Sequence, residues 1–371
     1  MNEHGLYIGL ISGTSRDGVD AVLAGFDGDR PLLRTTLCLP YPEPIVAALD
    51  KILAGGRRPS DPALRQLDRE IAHHFANAAL RLLEVAGLDR SAVRAIGSHG
   101  QTVWHQPDGP RPESIQLGHQ ATIAARAGMV TVGDFRRADI EAGGQGAPLA
   151  PLLHRAVFRP DRGKRVVLNL GGIANISIVD AQGTVAGFDT GPANCLLDAW
   201  IRQQRNIPFD TNGAWAATGQ VHDRLLQDMQ GDPWFARPAP KSTGIEFFNL
   251  DWLRTHLRDR ALEGCDVQAT LAELTAWSVA EAVRPHKPVD VLLCGGGIHN
   301  ANLVRRLRRQ LGRIPVRSTS DFGIEPDWVE AVLFAWLARE RLAGRPQDTR
   351  TITGARTPVL LGNIAQPAGV D

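Results

Sequence analysis

The stretch LISGTSRDGVDAVLAGFD, residues 10 to 27, decides how this chain is read. Two apolar runs, Leu6 to Ile11 and Val19 to Phe26, flank a loop of Ser12, Gly13, Thr14, Ser15, Arg16, Asp17 and Gly18. The flanks predict two strands and the loop their hairpin. Hairpin loops usually close in about two to five residues, and this one is longer and rich in hydroxyls. Its glycines remove the Cβ atoms that would block an anion, so backbone N–H groups and hydroxyls can face one. Asp17 adds a carboxylate able to hold Mg²⁺ directly or through water. Taken alone, the loop reads better as an ordinary Ser/Gly turn.

Working outward, 371 residues exceed one ordinary core and point to two domains of similar size. A composition 43% hydrophobic and 22% charged belongs to a soluble globular protein. A net charge of +1 gives no reason to expect nucleic acid or an anionic membrane as partner. The Arg305-Arg306-Leu307-Arg308-Arg309 run is a solvated helix face, in a chain where Arg greatly outnumbers Lys. No cationic start with an apolar stretch and no membrane-length apolar run is present. Cys38, Cys195, Cys265 and Cys294 are scattered without metal-ligand spacing, and three lie in apolar context. Reduced thiols in a cytoplasmic protein are the expectation.

Strands and helices alternate along the chain. A helix over Pro44 to Ala54 precedes a stronger one over Pro62 to Gly87. There Leu64, Leu67, Ile71, Phe75, Ala78, Leu82 and Val85 recur at helical steps. Val93 to Ser98 and Met129 to Asp134 read as strands, Ala121 to Ala127 and Pro148 to Phe158 as helices. The polar segment RPDRGK, 159 to 164, reads as a linker. Beyond it the opening theme returns: Val166 to Leu170, a loop of Gly171, Gly172, Ile173, Ala174 and Asn175, then Ile176 to Val179. Strand, glycine-polar loop, strand thus begins each half, implying two related α/β lobes with one phosphate-sized loop apiece. The pairing favours the phosphate reading of both.

A third glycine cluster, VLLCGGGIHNANLV, reads as a buried strand, Gly295, Gly296 and Gly297, and a helix beginning near His299. Such a helix start suits phosphates or a flat purine. A dinucleotide fold is the competitor, but Asn300 stands where its third glycine belongs. No P-loop sequence occurs. Three glycine loops in this order point to the actin/hexokinase/heat-shock ATPase plan. The C-terminal half closes with a helix from Pro326 to Leu342.

Two polar segments follow strand ends, where open α/β sheets present ligands. SHGQTVWHQP gathers Ser98, His99, Gln101, Thr102, Trp104 and His105, and GDFRRADIEAGGQGAPLAP gathers Asp134, Arg136 and Asp139 before Gly146. Each alone reads as a solvated loop; together they favour a binding crevice suited to hydrogen-bonding a sugar. FDTGPANCLLDAW supplies Asp189 just before Pro192, which begins a predicted helix. Asp189 reads both as that helix's cap and as a candidate base.

Together SGTSRDGVD, SHGQTVWHQP, DFRRADIEAGGQGAPL, LNLGGIANIS, FDTGPANCLLD, KSTG, CGGGIHN and EAVLFAWLA make the chain resemble the anhydro-N-acetylmuramic acid kinases, from Gly9 to about Gly362. The resemblance implies a two-lobed actin-like/ribonuclease H-like ATPase fold, with mixed sheets flanked by helices and an interlobe active-site cleft. Residues 1–160 are the expected first lobe and 161–371 the second, with the tail 351–371 able to pack on the first. The implied reaction opens the 1,6-anhydro ring of 1,6-anhydro-N-acetylmuramic acid and phosphorylates the freed O6 from ATP, in peptidoglycan recycling. Gly13, Thr14, Ser15, Arg16, Asp17, Gly18, Val19 and Asp20 would wrap the ATP phosphates, with Mg²⁺ on Asp17. Gly171, Gly172 and Asn175 would form the second phosphate loop, and Gly295, Gly296 and Gly297 would flank the adenosine. Asp189 would be the catalytic base. Gln101, Thr102, His105, Asp134, Arg136, Asp139, Gly146, Asn194 and Glu330 are the expected sugar-site residues, Arg136 matching a carboxylate.

The sequence departs from the family at Ile11, where Met is usual, at His119, often acidic, at Ala193, commonly Gly, and at Ile245, frequently Arg. A single carboxylate suffices for the implied chemistry because the leaving O6 is tethered and can attack the γ-phosphate as it departs. Two rivals are a non-catalytic actin-like ATPase and a plain hexose or amino-sugar kinase. A small-molecule sugar partner is expected, and oligomeric state is open, a homodimer included.

Overall fold

The computed structural model describes residues 5–13, 16–53, 58–107, 109, 111–239, 241–258 and 260–367, except for the side chains of Asp61 and Ala63. The chain begins with three strands, β1 (Leu6–Ser12), β2 (Gly18–Asp27) and β3 (Arg30–Pro40), then two helices, α1 (Glu43–Leu53) and α2 (Asp61–Ala86). Strands β4 (Val93–Gln106) and β5 (Glu113–Leu117), helix α3 (Gln120–Ala127), strand β6 (Thr131–Gly133) and helices α4 (Arg137–Glu141) and α5 (Ala150–Val157) follow. Next come β7 (Lys164–Leu170), β8 (Ile173–Asp180) and β9 (Val185–Pro192), and then α6 (Asn194–Arg205), α7 (Ala214–Thr218), α8 (Asp223–Gln230), α9 (Leu250–Leu257) and α10 (Gly264–Val283). The chain ends through β10 (Asp290–Cys294), α11 (Ala301–Leu311), β11 (Val316–Ser318), α12 (Val329–Leu342) and β12 (Asn363–Ala365).

One sheet runs β12-β6-β4-β1-β2-β3 with β5 paired to β4, and the other runs β11-β10-β7-β8-β9. In each, three consecutive strands pair antiparallel, and two later strands add in parallel beyond the first of them. That order, made twice, is the ribonuclease H-like plan expected of the actin-like class, and helices flank both sheets.

The described residues divide into a first compact unit, 1–157 and 328–371, and a second, 158–327. The first boundary falls near the polar 159–164 segment. The second differs from the expectation that everything after 160 is one lobe. Helix α12 is buried nearly all round and packs on the first sheet. Close approach explains this: a Cβ on Gly9 of β1 or Gly97 of β4 would collide with the Ala331 or Phe334 carbonyl of α12. Glycines under an alanine-rich helix let backbones touch, a tertiary requirement that periodicity does not display. Strand β12 then pairs antiparallel with β6.

On the sheet's other side, α2 buries Leu64, Leu67, Ile71, Phe75 and Leu82 against Ile8, Leu10, Val19 and Leu23. Val85, the last residue of the expected stripe, is exposed. In the second unit, Ala276, Val279, Ala280 and Val283 of α10 join Val166, Leu168, Ile176 and Leu293 in one core. Among the described residues no helix is long and apolar enough to cross a membrane. All four cysteines are free, and only Cys294 is buried.

Candidate active site

The first loop leaves β1 at Ser12 and enters β2 at Gly18. Thr14 and Ser15 lie outside the described residues. Ser12 Oγ donates to Gln101 Oε1 at 2.6 Å, and Gln101 Nε2 donates to the Gly13 carbonyl at 3.3 Å. Gln101 is thus buried with its amide spent on fixing the loop to β4, not free to meet a sugar as expected. Arg16 sits at φ 57 and pairs with Asp50 at 2.9 Å. Asp17 is exposed, and its carbonyl accepts the Tyr41 N–H at 3.0 Å. Val19 belongs to the core. Asp20 lies opposite Cys38 on β3; although Cys38 is exposed, the protein mass around its thiol, reinforced by Asp20, pushes it up to about 12.

SHGQTVWHQ is strand throughout, because β4 continues past Ser98 and pairs with β5. Thr102 Oγ1 accepts from Gln116 Nε2 at 3.3 Å, and His105 Nδ1 lies 3.0 Å from Ser114 Oγ. Buried His99 donates from Nδ1 to the Gly100 carbonyl at 3.0 Å, leaving Nε2 to accept from Arg136 Nε and Nη2 at 3.2 and 2.9 Å. Burial and then the Arg136 charge hold the His99 ring far below its ordinary pKa, so it stays neutral. Burial lowers Arg136 to about 10, opposed by Glu330. Glu330 opens to solvent in the first turn of α12 yet lies deep within protein mass. That surrounding mass and then Asp20 push its carboxyl up, while Arg136 pulls it down. Arg136, Glu330 and Asp20 therefore form one electrostatic group in the first unit, with His99 orienting the guanidinium.

Asp134 and Asp139 differ sharply. Asp134 accepts from Arg137 Nε at 2.6 Å and Asn363 Nδ2 at 3.0 Å, and it lines a cleft of about 280 Å³ with Ser98, His99, Gln116 and His119. Asp139 is fully buried. Its Oδ1 accepts from Thr349 and Thr353 at 2.5 and 2.8 Å, and its Oδ2 accepts the Gly146 N–H at 2.7 Å. Asp139 and Gly146 form a structural tie from the 143–146 loop to the tail, not the ligand contact expected.

In the second unit, the carbonyls of Gly171 and Gly172 accept the N–H groups of Asn194, Ala193 and Cys195 at 3.0–3.1 Å, fixing that loop to the start of α6. Asn194 Nδ2 donates to the Leu170 carbonyl at 3.0 Å, which makes Asn194 part of the same brace. Gly295 takes φ 79, where a Cβ would strike Asn169, while the space above Gly296 is open. The helix expected near His299 is a short 3₁₀ turn over 296–299, with α11 starting at Ala301. Asn300 caps α11 by accepting the Leu303 N–H at 2.9 Å.

Asp189 lies on β9 in register with Asn175. It is not a helix cap: Pro192 ends β9, and Ala193 precedes α6 without a side-chain cap. Its N–H donates to the Lys241 carbonyl at 3.0 Å, and its Oδ2 accepts the Thr243 N–H at 2.9 Å. Burial, with Glu246 nearby, raises the carboxyl to about 6, against the lowering effect of the Thr243 N–H. Lys241, Thr243 and Glu246 were not among the expected site residues, although the KSTG motif marks their position. Ile245 is exposed and close to Gly172. Among the described residues no three His, Cys, Asp or Glu side chains gather as metal ligands.

A doubled ribonuclease H-like sheet with a glycine loop after the first strand of each places the chain in the actin-like ATPase fold class. The family model for anhydro-N-acetylmuramic acid kinase matches residues 5–367, and the chain belongs to that family. An anhydro-N-acetylmuramic acid kinase of Xanthomonas campestris is 46% identical over 364 residues, covering 97% of each chain. One from Vibrio cholerae is 43% identical, covering 99% of this chain and 100% of the relative. Among solved structures, a ROK family glucokinase from Streptomyces griseus aligns with TM-score 0.41 and 15% identity, covering 91% of this chain and all (100%) of that one. The activator of 2-hydroxyisocaproyl-CoA dehydratase from Clostridium difficile aligns with TM-score 0.47 and 11% identity, covering 91% and 96%.

Proposed function

We propose that the protein opens the 1,6-anhydro ring of 1,6-anhydro-N-acetylmuramic acid with water and transfers the γ-phosphoryl group of ATP to the released O6. The product is N-acetylmuramate 6-phosphate, formed in the cytoplasm during peptidoglycan recycling. Beyond family membership, the observation that carries the reading is Asp189, a carboxylate with one oxygen braced by the Thr243 N–H and a pKa raised to about 6. Such a group is ionised at neutral pH yet basic enough to take a proton from water. The proton goes to Oδ1, the water oxygen bonds to C1, the C1–O6 bond breaks, and O6 attacks the γ-phosphorus as its bond to the β,γ-bridging oxygen breaks and ADP leaves.

In the first unit the loop after β1 is the candidate for the phosphates; in the second, the Gly171-Gly172 turn is a phosphate candidate and the open side of Gly296 an adenosine candidate. An exposed Asp17 suits Mg²⁺, which commonly takes one or two carboxylates and completes its shell with phosphate and water. Bound there, the ion would supply charge neutralisation at the phosphoryl oxygens. Arg136, its guanidinium oriented by His99, is assigned to the lactyl carboxylate. Thr102, His105, Asp134 and Glu330 are the remaining sugar-side candidates.

Mass spectrometry of product made in ¹⁸O water, read before the anomeric hydroxyl exchanges, tests the reaction. Solvent oxygen at C1 together with one phosphoryl group is expected. Phosphorylation without solvent oxygen would indicate a plain amino-sugar kinase, and ATP binding without sugar-stimulated turnover a non-catalytic ATPase.

A further inference from the structure

Phe188, Phe235, Trp277, Arg237, Lys241 and His286 line a cavity of about 370 Å³ within the second unit, between β9, α10 and the segment before KSTG. Asp189 does not line it; the neighbouring Phe188 does. One part of the wall is aromatic, with Phe235 and Trp277 edge-to-face at 5.3 Å and Phe188 tilted against His286 at 6.4 Å. The other part is cationic. Lys241 Nζ donates to the Phe235 carbonyl at 2.9 Å and sits 4.3 Å from the centre of the Trp234 ring. Arg237 is exposed at the rim. Glu281 is the lone acid of the lining, and it pairs with Arg284.

Burial, and then Arg237, lowers the Lys241 ammonium, while burial and Lys164 lower His286. Two cationic side chains, Lys241 and Arg237, thus share one cavity with a His286 ring held neutral, and the single carboxylate of the lining is engaged elsewhere. An anion among them would relieve their repulsion, and flat rings beside them supply a stacking surface. None of these groups has a part in the reaction above except Lys241, which holds the 241–243 segment beside Asp189 through its main-chain carbonyl and its ammonium.

We infer that this cavity is a second ligand site, for a small organic anion that carries a phosphate or carboxylate on a flat ring. Isothermal titration calorimetry with 1-naphthyl phosphate tests it, with the nucleotide site filled by a non-hydrolysable ATP analogue. Saturable one-site binding is expected, weakened roughly tenfold or more in Arg237→Ala, as suits loss of a charge-assisted contact. Because Arg237 is at the rim, the variant should keep wild-type circular dichroism and wild-type turnover without the probe. Inorganic phosphate should bind more weakly than the ring-bearing probe. No saturable heat, or equal affinity in wild type and Arg237→Ala, would overturn the site. Phosphate binding as tightly as 1-naphthyl phosphate would overturn its assignment to a ring-bearing anion. Calorimetry reads the site without turnover, so the result is independent of the role of Asp189.

Discussion

Asp189→Asn separates the chemistry of the carboxylate from its place in the fold. Asn retains an oxygen that can accept the Thr243 N–H, now 2.9 Å from Asp189 Oδ2, and nothing in α6 depends on it as a cap. It cannot take a proton, so turnover should fall by roughly 10²–10⁴-fold. Stability should move the other way. The native pKa of about 6 lies above the ordinary 3.8, so ionised Asp189 is disfavoured by folding. Well below pH 3.8 the group is neutral in folded and unfolded chains and costs nothing. The penalty grows as pH rises and is complete above the folded pKa. At 1.36 kcal/mol per pKa unit its ceiling is about 3 kcal/mol, and partial solvent access leaves on the order of 1–2 kcal/mol. Asn removes that penalty, raising the melting temperature by about 2–6 °C at pH 8 and by almost nothing at about pH 3. Scanning calorimetry at both pH values, beside single-turnover ring opening, measures the two effects. A folded variant with near-normal ring opening would refute Asp189 as the base. A melting difference independent of pH would refute the burial account of its pKa.

Glu246→Gln removes the charge that adds to burial in raising Asp189, so the acid limb of the pH–rate profile, expected near 6 in the wild type, should move to lower pH. Asp17→Ala should lose most turnover at limiting Mg²⁺ while the fold survives; wild-type rates there would remove Asp17 from the metal role. Arg136→Ala should raise the sugar KM far more than the ATP KM, costing on the order of 2–4 kcal/mol for a lost charge-assisted contact. Equal changes in both constants would assign Arg136 to support of His99 and the fold. Gly97→Ala should cost about 1–3 kcal/mol in urea unfolding, since its Cβ would strike the Phe334 carbonyl; unchanged stability would refute the close packing of α12.

The opening hairpin, the two glycine turns and α2 were legible because local pattern and tertiary role agree there. Three elements were not. Strand β4 turns polar after Ser98 because from Gln101 onward it pairs with β5, so alternation no longer reports one buried face. Strand β9 carries Gly187, Gly191 and Pro192, and Pro192 reads as a helix start. The strand is the edge of its sheet, where such residues are tolerated. For that reason Asp189 looked like a helix cap, although its partner, Thr243, is 54 residues away. The return of α12 to the first unit rests on Gly9 and Gly97, whose role appears only when the helix lies on them.

The placement of Asp189 on an edge strand also explains how its pKa is set. An interior strand has neighbours on both sides, whereas β9 is bordered by β8 on one side and the short 241–243 segment on the other. That segment supplies one N–H to the carboxylate. A single N–H lowers the pKa too little to offset burial, so the group settles at about 6, between an inert buried acid and a weak surface base. Side chains in 241–246 set the remaining balance: Glu246 raises the carboxyl by charge, and the Lys241 ammonium anchors the segment at the Phe235 carbonyl. The basicity of Asp189 therefore depends on KSTG and the residues just after it as much as on β9 itself.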